Sequence, residues 1–387
     1  MIIDKFTVQD FKSIESAELE LGCVNVFIGA NGSGKSNLLE AFGVLAAAAF
    51  GRVDEESLVR RGCRPGGYPR TLLKDSRTDG LTKLDAEAKT GYQVTLASPE
   101  LGRPSGWEYK REIWSDERGG EIVDRIFTNG SKGDPQAGLA ALRLAETAPD
   151  SEAARFLKTL AAYSIYSPDT TILRGWRADP QNREPVGLSG GRLAEAVLDL
   201  IGDEQGGAKL ESEMQDTVEW YGGFRVRRTT SVKEPTEHGL LFTDRFFRKD
   251  KQRYYLTPND VNEGVLYQLF LGVLCLHPEA PALFAVDNGD HGLNPRLAKH
   301  LIQAMCGWLL ESKRPRQVLM TTHNPQVLDG LPLRDDRVRL FTVSRTDTGR
   351  SVVRRVEITQ KLLEMADKGW TLSRLWIMGH LGGVPNV

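Results

Sequence analysis

The chain has 387 residues, of which 40% are hydrophobic and 26% charged, and this composition reads as soluble and globular with room for one large or two ordinary domains. A formal net charge of −2 excludes nucleic-acid binding by bulk charge and leaves only local basic patches for it. The charged N-terminal residues and the absence of a long apolar run argue against a signal peptide and a membrane partner. Cys23, Cys63, Cys275 and Cys306 lack metal-ligand spacing, so buried thiols and a cytoplasmic location are expected.

In chain order, alternation from Ile2 to Val8 and from Ala17 to Leu21 predicts two strands, and Val24 to Ile28 a third. The next eight residues, Gly29 to Ser36, read GANGSGKS and open a predicted helix from Asn37 to Phe50, where Leu38, Leu39, Phe42 and Leu45 recur at helical spacing. G-x-x-x-x-G-K-[ST] between a strand and a helix is the phosphate loop of nucleotide hydrolases. Glycines let successive N–H groups turn inward around phosphates, and the helix N-terminus adds orphan donors and partial positive charge. Gly29, Ala30, Asn31, Gly32, Ser33, Gly34, Lys35, Ser36 and Asn37 are therefore the candidate nucleotide contacts. Lys35 would reach the β- and γ-phosphates, and the Ser36 hydroxyl would ligate Mg²⁺. A bound nucleoside triphosphate is expected.

From Lys89 to Asn129 alternation predicts an antiparallel meander, with strands at Tyr92–Leu96, Trp107–Trp114 and Glu121–Phe127. Helices are predicted over Ala137–Ala148, Glu152–Ala162, Leu193–Ile201 and Leu210–Trp220, with a loop from Ser167 to Pro185. Phe224–Thr230 and Leu240–Arg248 read as strands. They carry two basic clusters, Arg225, Arg227, Arg228 and Arg245, Arg248, Lys249, Lys251, Arg253, interleaved with Phe246, Phe247, Tyr254 and Tyr255. A DNA groove would use such residues for phosphates and stacking, and a solvated face balanced by acids would look the same.

From Val261 apolar strands alternate with helices: helix Leu266–Leu276, strand Ala282–Val286, helix Pro295–Leu310, strand Gln317–Thr321 and a strand near Val338–Val343. This pattern predicts a sheet buried on both faces. The apolar strand before Asp287 places that carboxylate where a Mg²⁺ partner of Ser36 is needed. The stretch VDNGDHGLNP, followed by TTHNP at Thr321–Pro325, resembles the Walker B, D-loop and switch histidine of ABC-type ATPases. With FTVQDFKSIES before the phosphate loop and the tail from Leu372 to Pro385, the chain is similar to the RecF/OLD-like group of DNA repair and phage defence. The resemblance covers both ends and the motifs, while the middle matches only in layout.

What the resemblance implies is an α/β P-loop NTPase with an ABC-type head, a mixed β-sheet flanked by helices and an inserted α+β lobe. The head is expected over 1–88 and 255–387, the lobe over 89–254. Catalytic roles fall to Lys35, Asp287, Asn288 and His323, and metal binding to Ser36 and Asp287. Where the class usually has a glutamate to position the attacking water, this chain has Asn288. An amide can orient water but cannot take its proton at neutral pH, so slow ATP turnover is expected. Leu188-Ser189-Gly190-Gly191 looks like a transporter signature but lies far before Asp287 and reads as a glycine-rich loop. The stretch that feeds the Asp287 strand holds Asn262-Glu263-Gly264, which takes the signature position. In this class the signature meets a partner subunit's phosphate loop, which implies a homodimer or higher oligomer.

Two further sites are rejected on the residues. His238, His277, His291, His300 and His380 share no zinc-ligand spacing, and the segment around Asp335, Asp336 and Asp347 is too short for a fused nuclease, so any effector would be a separate protein. The expected function is an ATP-dependent dimeric switch that engages DNA or an effector in phage defence or repair. A nearly hydrolysis-dead, ATP-loaded scaffold is the alternative, and a transporter-type ATPase subunit the third reading.

Overall fold

In a computed structural model, residues 2–64, 80–98, 106–128, 133–228, 238–249, 252–290 and 292–382 are described. The chain opens with β1 (Lys5–Phe11), β2 (Ile14–Glu20) and β3 (Val24–Ile28), then α1 (Lys35–Phe50) and α2 (Glu55–Val59). A meander follows: β4 (Leu81–Glu87), β5 (Gly91–Ala97), β6 (Glu108–Ser115) and β7 (Glu121–Ile126). Next come α3 (Leu139–Arg143), α4 (Glu152–Ala161), β8 (Ile165–Tyr166), α5 (Thr170–Leu173), α6 (Leu193–Ile201) and α7 (Glu204–Thr217). Strands β9 (Tyr221–Arg228), β10 (His238–Lys249) and β11 (Gln252–Leu256) precede α8 (Glu263–Leu276), β12 (Leu283–Val286) and α9 (Pro295–Leu310). The chain closes with β13 (Gln317–Thr322), β14 (Val338–Arg345), β15 (Ser351–Arg355), α10 (Gln360–Asp367) and α11 (Leu372–Ile377).

One 12-stranded mixed sheet runs in the order β7-β6-β5-β4-β1-β2-β15-β14-β3-β13-β12-β8, and β11-β10-β9 form a separate 3-stranded sheet. The parallel part, from β14 to β8, is buried on both sides, which is why β12 is an unbroken apolar run and β3 is interrupted only by Asn25, whose side-chain amide donates to the Gly22 and Val318 carbonyls. Val24, Val26 and Ile28 face one core with α6, α7, α8 and α9, while Phe27 faces the other with α1 and α4. Helix α8 is buried on nearly all sides and needs no polar stripe.

The expected division at 88/89 and 254/255 is crossed by paired strands. β4 pairs with β5 across the first, and the second falls within β11. Strands β5 to β7 extend the main sheet through β4 and β1, and β8 forms its opposite edge beside β12. Helices α6 and α7 with Tyr221, Leu240 and Phe242 pack into the same core as α8.

Several element bounds differ from expectation for local reasons. The helix expected at Leu210 starts at Glu204, because the Asp203 side chain accepts from Gly206 N and caps it. The one expected at Leu266 starts at Glu263 under the Asn262 cap, and the loop expected after Ser167 holds α5, capped by Asp169. Among the described residues no helix is long and apolar enough to cross a membrane.

Candidate nucleotide site

Strands β14, β3, β13 and β12 are parallel and end along one edge of the sheet. Ile28 pairs with Thr322 and Val286 with Met320, so the residues that follow these strands emerge side by side. Loops at the carboxyl ends of parallel strands are where open α/β sheets hold ligands. The residues singled out at 29–37, 287, 288 and 323 all lie there.

The phosphate loop is held from behind by groups distant in sequence. The Ser351 hydroxyl donates to the Ser33 carbonyl at 2.6 Å and lies 2.7 Å from the Ser13 hydroxyl, which accepts from Asn37 Nδ2 at 2.8 Å. Gly34 sits at φ 109 against this pair, and a methyl group there would come within 2.1 Å of Ser351 Oγ. Only glycine meets both the left-handed backbone and the close approach. Asn37 Oδ1 in turn accepts from Arg64 Nη2 at 2.9 Å.

Lys35 is buried, and its Nζ donates to the carbonyls of Gly29 at 2.7 Å and Ala30 at 2.9 Å. Burial pushes its amine down to about 8, against the pull of Asp287 and Asp290. Ser36 Oγ donates to Asp287 Oδ1 at 3.1 Å, and Thr321 Oγ1 donates to the same oxygen at 2.5 Å. Thr321 Oγ1 also accepts from Asn288 N at 2.9 Å, which fixes the residue after the aspartate. Asn288 adopts φ 53, a left-handed conformation that asparagine tolerates better than most side chains.

His323 makes a backbone hydrogen bond with Gly29, and partial desolvation, then the Lys35 charge, hold its imidazole below the ordinary value. That lowering leaves this histidine neutral at pH 7, and its exposure leaves it reachable. Asn324 N donates to Asp290 Oδ2 at 3.0 Å, while Asp290 Oδ1 and Ser33 Oγ are buried without a partner among the described residues. Unpartnered buried polar atoms are costly, and here they line the edge where phosphates would lie. The hydroxyl and carboxylate of Ser36 and Asp287 are the hard oxygen donors that Mg²⁺ takes.

Asn262, Glu263 and Gly264 stand apart from this cluster. Asn262 Oδ1 accepts from Val265 N at 3.1 Å, and Glu263 Oε2 accepts from Thr170 Oγ1 at 2.9 Å. Gly292 leaves room for that carboxylate, since a methyl group there would lie 2.7 Å from Glu263 Oε1. None of these contacts reaches residues 29–37. The glycine-rich Leu188–Gly191 stretch is a turn before α6. Asp179 Oδ2 accepts from Ser189 N at 2.9 Å and Gly191 N at 3.2 Å, and Gly190 packs on Leu173.

Arg225 and Arg227 are exposed on β9 opposite Leu241 and Gly239, and Arg245 lies 4.9 Å from the centroid of the exposed Phe246 ring. The side chains of Arg228, Arg248, Lys249, Arg253 and Tyr254 lie outside the described residues, as do Lys251 and His291. Sequence reasoning missed Thr321, Ser13 and Ser351. The hydroxyl pair ending β13 was a signal for the first, but nothing local marked the serines.

A family model described as "AAA domain, putative AbiEii toxin, Type IV TA system" matches residues 24–329. The DNA replication and repair protein RecF of Renibacterium salmoninarum is 34% identical over 106 residues, 27% of this chain and 27% of that protein. RecF of Magnetococcus marinus is 47% identical over 64 residues, 16% of this chain and 17% of its own length. The matches thus span about a quarter or less of these curated relatives. Among solved structures, an SMC head bound to the C-terminal winged-helix domain of ScpA covers 92% of this chain and 98% of its own at 14% identity and a TM-score of 0.51. That likeness is one of fold: a large mixed sheet with flanking helices, as in ABC-type heads.

Proposed function

The chain belongs to the family described as AAA domain, putative AbiEii toxin, Type IV TA system, an ABC-type ATPase of the RecF and SMC class, and from that premise we propose a slowly hydrolysing ATP-dependent dimeric switch. The observation that carries this reading is the meeting of Lys35, Ser36, Asp287 and His323 at one sheet edge, with Asn288 beside the aspartate.

In the proposed mechanism, the turned-in N–H groups of residues 29–36 and the α1 N-terminus receive the triphosphate. Lys35 exchanges the Gly29 and Ala30 carbonyls for β- and γ-phosphate oxygens. Ser36 and Asp287 would hold Mg²⁺, which supplies charge neutralisation on the phosphates. Asn288, fixed by Thr321, orients the attacking water without accepting its proton, so the proton leaves by a slower route. His323, neutral at pH 7, donates toward the γ-phosphate edge.

Asn262 to Gly264 would complete the site of a second copy, with Asn262 at an exposed helix N-terminus. ATP then holds two copies together, and closure presents or releases DNA or a separate effector protein in the cytoplasm. Arg225 and Arg227, with the exposed Phe246 and Phe247, support a nucleic-acid contact. Phage defence or DNA repair is the setting this reading favours. Asn288 also favours a second reading, in which ATP is glue for a scaffold and is scarcely hydrolysed. Phosphate release measured with and without DNA separates the two. Turnover stimulated by DNA and lost in Lys35→Ala supports the switch, whereas undetectable turnover with tight ATP binding supports the scaffold.

A further inference from the structure

The end of α1 away from the phosphate loop opens on a cavity of ≈ 820 Å³ lined by Phe50, Arg60, Arg61, Lys158 and Arg183 among others. Helix α1 has 16 residues, so this end lies roughly 22 Å from Lys35 at about 1.5 Å per residue. The cavity is therefore separate from the nucleotide site above. Its volume falls within the roughly 300–1,000 Å³ of small-molecule sites.

The acids of the lining are already engaged: Arg52 Nε lies 3.0 Å from Asp54, and Arg60 pairs with Glu56. Arg61, Lys158 and Arg183 have no carboxylate partner among the described residues. Arg61 is 5% exposed, with Nη1 on the Ser57 carbonyl at 2.8 Å and Nη2 on the Ala161 carbonyl at 2.9 Å. Its Nε is buried with no partner among the described residues. Arg183 donates to the Ala162 carbonyl at 3.3 Å, to the Arg60 carbonyl at 3.4 Å and to the Ser164 hydroxyl.

A purely structural account has the two guanidiniums satisfying the last carbonyls of α2 and α4. Those two helix ends carry roughly half a negative charge each, which offsets about one of the three unpaired positive charges. About two of the three remain, the exposed Lys158 among them, and Arg61 Nε has no partner among the described residues. The crowding is felt within the site: burial, then the neighbouring Arg183 charge, push the Arg61 guanidinium down to about 10. The Phe50 ring is 61% exposed, with the Arg61 guanidinium carbon 5.1 Å from its centroid.

We propose that this cavity is a second binding site, for a nucleotide unit, its phosphate between Lys158, Arg61 and Arg183 and its base against Phe50. Guanidinium and ammonium donors suit a phosphate, and an exposed aromatic ring suits a base of any identity. A free nucleotide and a nucleotide within a strand present the same chemistry. The proposal stands independently of the function assigned to the phosphate loop.

The test uses the full chain carrying Lys35→Ala, Arg225→Glu and Arg227→Glu, so that neither the phosphate loop nor the exposed β9 arginines compete. It is titrated with thymidine 5′-monophosphate and, separately, with a fluorescent oligothymidylate. At least one probe binds, and Phe50→Ala and Lys158→Glu each weaken it by about tenfold or more. Both residues are exposed, and ATP binding retained by either substitution in the otherwise unaltered chain shows that it folds. Binding of the monophosphate alone assigns the site to a free nucleotide, and binding of the oligomer assigns it to a strand. Absence of binding by both probes overturns the proposal, as does binding that survives both substitutions. Loss with Lys158→Glu but not with Phe50→Ala overturns the nucleotide assignment.

Discussion

The Ser36 hydroxyl meets the Asp287 carboxylate at 3.1 Å although 251 residues separate them. Thr321 donates to the same carboxylate oxygen at 2.5 Å, so Asp287 is held by two hydroxyls from two neighbouring loops. Asp287→Asn keeps the shape but loses the charge that a metal and a phosphate-bearing site require. Turnover should fall by about 10²-fold or more while the melting temperature changes little, as read by phosphate release and thermal unfolding.

Asn288→Glu should do the opposite to turnover. A carboxylate can take the water's proton, and general-base assistance is typically worth about 10²-fold or more. The residue sits at φ 53, however, where a glutamate is strained by roughly 1 kcal/mol more than an asparagine. Faster phosphate release with slightly lower stability is the expected pair of results. Unchanged turnover would mean that Asn288 does not stand at the attacking water.

Lys35 makes the site sensitive to pH in the alkaline range. Burial lowers its amine from 10.5 to about 8 in the free protein, so between these values the folded state binds fewer protons than the unfolded one. Stability of the free protein therefore rises as pH increases through that window. ATP affinity moves the other way, because the nucleotide needs the charged amine. Only about a tenth of the lysine is charged at pH 9, so affinity should drop about tenfold between pH 7 and 9. A calorimetric titration at each pH checks this.

Ser351→Ala tests the support behind the phosphate loop. It removes the donor to the Ser33 carbonyl and the partner of Ser13, both buried. Stability should fall by about 1–3 kcal/mol. ATP affinity should weaken by about five- to tenfold because a looser loop must be ordered on binding. Equal ATP affinity in the two proteins would show that the loop is shaped without this serine.

The residues that end parallel strands were readable from the chain because each sits where an apolar run stops. GANGSGKS after Ile28, Asp287 after Val286 and His323 after Thr322 are of this kind. Their neighbours were not readable. Ser13 and Ser351 lie 338 residues apart and have no local pattern, and β8 is two residues long, recognisable only through its pairing with β12. Glu263 had no evident partner in the sequence, and its contact with Thr170 depends on a short helix hidden in a Pro- and Asp-rich loop. The meander was legible as alternation, but its continuity with the main sheet was not, because β4 pairs with β1 over a gap of more than seventy positions.

We propose that ATP joins two copies, with Asn262 to Gly264 of one closing on the phosphate loop of the other. Sedimentation velocity of the wild-type chain with and without MgATP tests it most directly. A monomer is expected without nucleotide, a dimer with ATP that persists because turnover is slow, and no dimer in Lys35→Ala or Gly264→Asp. A wild-type chain that stays monomeric at saturating MgATP would contradict it.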